Sequence, residues 1–156
     1  GDGFADTPWG VILHGTRSGQ DYSTAEEYAA TVSYVEQGAG GLGWHVTIGD
    51  DAVCIHLPTN QWGWNAREHS GKYLAAEFAQ ATVARPISDG QVRAFCWWFA
   101  EHARSTWPTL PLVFPTHAEL PAGVRDGKTD PFALSDSRAA ELRDRIYARL
   151  AEIGVR

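Results

Sequence analysis

Apolar residues along this chain recur with two periods, and the switching between them predicts the elements. The run Gly10–His14 (GVILH), closed by GTRSG, reads as a short strand. Ser23 with Glu26 three residues on forms a capping box, and Tyr28, Ala29, Val32 and Val35 then recur at helical spacing. The glycine cluster Gly38–Gly43 (GAGGLG) is predicted to end that helix. WHVTIG and AVCIHL alternate with period two and meet at GDD, the pattern of a hairpin. On that pattern Trp44, Val46 and Ile48 face one side, and His45 and Thr47 the other. The tryptophan-rich loop PTNQWGWNAREHSGK leads to a further strand in Tyr73–Gln80 (YLAAEFAQ). Ser88 with Gln91 opens a second helix, whose Val92, Phe95, Cys96, Phe99 and Ala103 make one apolar stripe. Leu112–His117 (LVFPTH) is predicted as a last strand, and a final helix places Leu142, Ile146, Leu150 and Ile153 on one face. Strands alternating with helices in a short chain predict the α/β class, a central mixed β-sheet flanked by α-helices.

Length and composition narrow this picture. The 156 residues suit one domain over residues 1–156, with its core between about 10 and 150, and 44% hydrophobic content is that of a folded globular chain. A formal net charge of −6 argues against a broad electrostatic grip on nucleic acid or an anionic membrane. No apolar run approaches the roughly 18 residues of a membrane span. The N-terminus, GDGFADTPWG, has no basic region followed by an apolar stretch, so it does not read as a signal peptide. Absence of methionine, a starter included, is expected of a processed or excised domain. Cys54 and Cys96 read first as free, packed cysteines, since no spacing demands a disulfide; a bridge between the two is the alternative.

Candidate chemistry gathers at strand ends. His14 closes VILH and His117 closes LVFPTH, and in α/β sheets such ends project into ligand-binding crevices. Asp130 follows in the loop GKTDPF, held between Gly127 and Pro131. Two histidines and a carboxylate form a three-ligand zinc set with a fourth position open, the arrangement of catalytic zinc. Lys128 is one of two lysines in a chain with 13 basic residues. Two positions before Asp130, it points the same way along an extended loop. A compact ammonium there suits a developing oxyanion better than the broad fork of arginine.

The segments VILHGT, GLGWHVTIGDD, AAEFAQ, THAEL and GKTDPF, in this order, resemble the zinc-dependent N-acetylmuramoyl-L-alanine amidases of the amidase-2 family. That family includes phage endolysins, bacterial autolysins and peptidoglycan recognition proteins. The resemblance covers about Val11 to Phe132. It implies Zn²⁺ held by His14, His117 and Asp130, with Lys128 assisting. It also implies that Glu77 of AAEFAQ is the general base; the plainer reading is a salt-bridged strand carboxylate. His45, Trp64 and Asn65 are the candidate substrate contacts, and Trp62 and Trp64 either stack on sugar rings or pack inside. His56 and His102 read as packing or surface residues, and His69, in the polar loop REHSGK, lies within reach of the cleft without being a chosen contact. The chain departs from common family patterns at Trp44, where phage members often carry tyrosine. Asn65 falls where WHA is common, and Phe132 where glycine is common, which is expected to reshape a groove wall.

The resemblance implies hydrolysis of the amide between N-acetylmuramic acid and L-alanine in peptidoglycan. It implies a monomer acting on the cell wall, either as a phage endolysin released from the host or as a secreted bacterial enzyme. Negative charge disfavours adhesion to an anionic wall, so a separate wall-binding domain is expected. The alternatives are a recognition module that binds peptidoglycan without cutting it, and a zinc amidase for another N-acylated peptide.

Overall fold

The structure is a computed structural model that describes residues 2–38 and 43–156. Ala39, Gly40, Gly41 and Leu42, the middle of the predicted helix-ending glycine cluster, lie outside the described residues. In chain order the elements are β1 (Asp2–Gly3), β2 (Val11–Gly15), α1 (Thr24–Glu36), β3 (Val46–Gly49), β4 (Ala52–Ile55), β5 (Gln61–Trp62), β6 (Leu74–Phe78), α2 (Asp89–Trp98), α3 (Arg104–Thr106), α4 (Pro121–Arg125) and α5 (Ser137–Glu152). No helix among the described residues is long and apolar enough to cross a membrane.

The main sheet has the order β2-β6-β3-β4, with β6 parallel to both neighbours and β4 antiparallel to β3. This is the mixed sheet the sequence predicts. Both capping boxes form as written: Ser23 accepts from the Glu26 N–H and Ser88 from the Gln91 N–H, and each serine's own backbone N–H donates to its partner's side chain in return. Alternation within the strands sends Val11, Leu13, Val46, Ile48, Leu74, Ala76 and Phe78 to one face. There they bury against Val92, Phe95 and Phe99 at and beyond α2 and against Leu142, Ile146 and Leu150 of α5. The opposite face therefore carries His14, Glu77 and Thr47. Along it runs α1, close enough that a side chain on Gly49 would meet the Tyr28 ring.

Several expectations are corrected. The helical stripe of α1 is only half-buried, with Ala29 exposed, and its one buried residue is Glu27. Trp44 precedes β3 and escapes its alternation: its indole N–H donates to Thr47 Oγ1, on the side away from Val46. Leu112–His117 is not a strand. It lies extended along β2, accepting from the Val11 and Leu13 N–H groups through the carbonyls of Val113 and Pro115. Pro115 has no N–H to return, so the ladder stops at one isolated bridge, Leu13 to Thr116. Ile153 caps the end of α5 and is exposed rather than packed. Phe132 joins the core, with the Arg138 guanidinium over its ring, so it shapes no groove wall. The two-residue strands β1 and β5 were too short to leave a period.

Phe95 is fully buried among the rings of Phe78, Trp98, Phe99 and Phe114. Phe95→Ala is expected to cost about 3–5 kcal/mol of stability, read as a lower urea midpoint at unchanged slope.

Candidate functional site

The end of β2 and two later loops meet on the sheet face opposite the helical core. His14 and Glu77 are register partners in the parallel pair β2–β6, and Thr47 is the partner of Glu77 on its other side. These three side chains therefore form one row across the sheet. His117 starts a single 3₁₀ turn, His117–Glu119. Glu119 accepts from the Thr116 N–H and receives both guanidinium nitrogens of Arg143, which ties the turn to α5. Behind it, a Cβ on Gly123 would stand 1.7 Å from the His117 carbonyl oxygen, so α4 packs backbone to backbone on this turn.

The loop bearing Asp130 is held from both strand ends. Arg17, just past β2, donates to the carbonyls of Thr129 and Pro131 and to the Gln80 side chain. Gln80, just past β6 and fully buried, donates to the Pro131 carbonyl as well. Neither was singled out in the sequence. A buried amide just past an apolar strand was the one available signal. Asp130 Oδ2 sits 3.2 Å from His14 Nδ1 and Oδ1 sits 3.2 Å from His117 Nδ1. The Gly15 N–H also donates to Oδ2.

His14, His117 and Asp130 each offer one donor atom, and these atoms lie within 4.8 Å of one another. Two imidazoles and a carboxylate gathered within 4.8 Å are a donor set of the kind and spread that fits a zinc ion. Burial pushes the Asp130 carboxyl up, but hydrogen bonds from His117 and His14 outweigh it and hold the group well below the usual carboxylate range. Burial likewise opposes a charge on His14, and the Asp130 hydrogen bond with the charges of Glu77 and Asp130 raises its pKa on balance.

Glu77 is half-buried, and its Oε2 is enclosed with no hydrogen-bond partner. Burial pushes its carboxyl to about 7, against the opposing charge of His14 and with help from Asp130 and Glu27. It opens on a cavity of ≈ 490 Å³ walled by Thr16, Glu27, Tyr34 and Trp44. No cation pairs with it among the described residues, so the salt-bridge reading does not hold. Glu27 accepts from Thr16 Oγ1 and from Ser18, fixing the exit of β2.

A second, polar cleft of ≈ 480 Å³ lies on the His117 side, lined also by Trp64, Asn65 and Lys128. Trp64 is 57% exposed there, while Trp62 is half-buried. Lys128 is exposed and forms no ion pair among the described residues. The structure does not bring His45 to either cleft. It is fully buried, with Nε2 donating to the Gln61 carbonyl and Nδ1 accepting from the Ala75 N–H, so it pins β6 to β5. Asn65 reaches the cleft wall, but its amide is spent on the carbonyls of Gly43 and Gly63.

No known family's sequence model matches the chain. N-acetylmuramoyl-L-alanine amidase XlyA of Bacillus subtilis strain 168 is 30% identical over 69 residues, which are 44% of this chain and 22% of that protein. The chain thus spans about a fifth of that curated relative. Among solved structures, the Ph2119 endolysin from the Thermus scotoductus bacteriophage Ph2119 superposes with a TM-score of 0.60 at 20% identity, covering 91% of this chain and 86% of the endolysin. PGRP-SA of Apis mellifera superposes with a TM-score of 0.62 at 14% identity, covering 84% and 80%. The chain has the fold shared by amidase-2 enzymes and peptidoglycan recognition proteins.

His45 supplies a pH test of this scaffold. Burial depresses its folded pKa to about 4 from the ordinary 6.5, so the unfolded chain takes up the proton first. Its contribution is present in full above pH 6.5, is lost as pH falls towards 4, and amounts to at most about 3 kcal/mol. His45→Gln is expected to flatten the fall of the denaturation midpoint across that window relative to the parent.

Proposed function

We propose that this chain is a zinc-dependent N-acetylmuramoyl-L-alanine amidase, hydrolysing the amide between the lactyl group of N-acetylmuramic acid and L-alanine in peptidoglycan. The observation that carries the reading is the convergence of His14, His117 and Asp130 on one point, with Glu77 beside His14 on the same sheet face. The name of the curated relative and the shared fold support the choice of substrate.

His14, His117 and Asp130 would hold the metal, leaving a position open. When bound, zinc supplies the Lewis acidity that makes water a competent nucleophile and polarises the amide carbonyl. Glu77 accepts the proton of the attacking water and delivers it to the leaving amine; a carboxyl near 7 suits both directions of transfer. Lys128 faces the oxyanion of the tetrahedral species from the His117 side. Trp64 offers an exposed ring to the sugar. In this reading the site of action is the cell wall, and adhesion to it belongs to a further wall-binding domain.

Purified protein is expected to carry one zinc per chain, and chelation is expected to lower its melting temperature, since a ligand bound only by the folded state stabilises it. It is expected to release new L-alanine N-termini from intact peptidoglycan. Binding of peptidoglycan without release would make it a recognition module, and cleavage of small acyl-peptides alone would make it an amidase of another class.

Glu77→Gln keeps the shape and removes the titrating group. It is expected to retain zinc while turnover falls by about 10²–10⁴; a rate near the parent's would hand the proton to another group. Lys128→Ala is expected to bind zinc and peptidoglycan as the parent does, with kcat lower by about 10²–10³. Lys128→Arg is expected to restore only part of that rate, because a planar fork cannot occupy the same point. Unchanged wall hydrolysis by Lys128→Ala would make the lysine a bystander.

A further inference from the structure

Three consecutive carbonyls around Asp130 are each taken by a residue close in sequence to one of the other two histidines of the cluster. Arg17, three residues past His14, donates from Nη2 to the Thr129 carbonyl at 2.6 Å and to the Pro131 carbonyl at 2.8 Å. The Asp130 carbonyl accepts from the N–H of Ala118, next to His117, at 3.3 Å. The Asp130 loop is thus slung between the surroundings of His14 and of His117. Side-chain packing does little for it upstream: Gly127, Lys128 and Thr129 are exposed, and burial begins at Pro131.

Arg17 is itself held for this task. Its backbone is left-handed at φ 51°, a conformation disfavoured for any side chain larger than that of glycine. Such an outlier persists where surrounding contacts over-determine it. Here the Arg17 N–H donates to the Gln80 carbonyl at 2.7 Å and its Nε to Gln80 Oε1 at 2.9 Å. Gln80, fully buried, gives its own amide N–H to the Pro131 carbonyl at 3.0 Å. A Cβ on Gly15 would collide with Gln80 Oε1, so the exit of β2 packs directly on that amide.

We propose that Arg17 is a positioning residue of the metal site: it locks the backbone on both sides of Asp130, so that the carboxylate is aimed between His14 and His117 before a metal arrives. The inference rests on the zinc reading above. A ligand loop already ordered by the fold need not be ordered by the metal, and affinity rises accordingly. One planar guanidinium serves both flanking carbonyls and the Gln80 amide oxygen at once. The ammonium of a lysine, a point charge on a flexible stem, cannot hold that geometry.

Arg17→Ala removes the lock. Arg104→Ala is the control, since Arg104 likewise joins two carbonyls, those of Leu110 and Arg156, outside the cluster. Zinc affinity is measured by competition with a chromophoric chelator, and ligand geometry by the visible absorption of the cobalt-loaded protein. Arg17→Ala is expected to stay folded, to bind zinc about 10–100-fold more weakly and to change the cobalt spectrum. Arg104→Ala is expected to melt at a lower temperature with parental zinc affinity and spectrum. Arg17→Lys, which keeps the charge without the fork, is expected to fall between Arg17→Ala and the parent. Parental zinc affinity or a parental cobalt spectrum in Arg17→Ala, or an equal loss in Arg104→Ala, overturns the proposal while leaving the zinc site in place. If Arg17→Ala fails to fold, Arg17→Lys decides: weakened zinc binding supports the lock and parental binding overturns it. A parent that takes up no zinc overturns the metal reading and this proposal with it.

Discussion

A single carboxylate shared between two imidazoles governs the architecture of this site. Asp130 is drawn to His14 and His117 from a loop with no regular structure of its own, across a sequence separation of 116 residues to His14. A buried carboxylate is costly unless paired and hydrogen-bonded. Here the two histidines and the Gly15 N–H offset that cost. Arg17 and Gln80, just beyond the ends of β2 and β6, grip the carbonyls on either side. The strands that present His14 and Glu77 thus also hold the loop that brings Asp130 to them.

What places Glu77 beside His14 is hydrophobic packing on the reverse of the sheet. Val11 and Leu13 of β2, and Leu74, Ala76 and Phe78 of β6, must all face α2 and α5. With a side-chain period of two, this leaves His14 and Glu77 no choice of face, and a slip of one residue would drive Glu77 into the core. The parallel register then sets the two opposite each other. Enclosure by the cavity under α1 does the rest, lifting the carboxyl to about 7. In the proposed reaction, stability and reactivity are coupled through this one alternation.

The same alternation explains how much was legible in the sequence. The capping boxes, the strands around His14 and Glu77, and the stripe of α2 rest on local periods, and they stand where the pattern puts them. His14, His117 and Asp130 were found as strand-end and loop residues, although the segment before His117 is no strand, because its position along β2 matters more than its ladder. Roles set by distant partners were not legible. His45 looks like an outward residue of an alternating run, yet the Gln61 carbonyl and the Ala75 N–H claim both its nitrogens. Asn65 looks like a cleft residue, and only the contact of Gly43 with Gly63 reveals what its amide holds. Phe132 sits in a loop by sequence and in the core by packing.

The chain's preference for arginine finds a reason in these contacts. Arg17 bonds two carbonyls and a side-chain amide, Arg143 grips Glu119 with two nitrogens, and Arg138 caps the start of α5 through Asp136 while covering Phe132. Each uses the planar fork to join segments far apart in sequence or to hold one end in place. The two lysines do no such joining. Lys72 lies over the ring of Trp9, and the Lys128 ammonium forms no hydrogen bond or ion pair among the described residues. In the proposed reaction, a long, flexible, strongly hydrated cation left without a partner in the cleft beside His117 loses nothing structural by swinging to a charge that exists only along the reaction path. Arginine in its place would find carbonyls and carboxylates to grip, as the others do, and would then meet that charge already occupied.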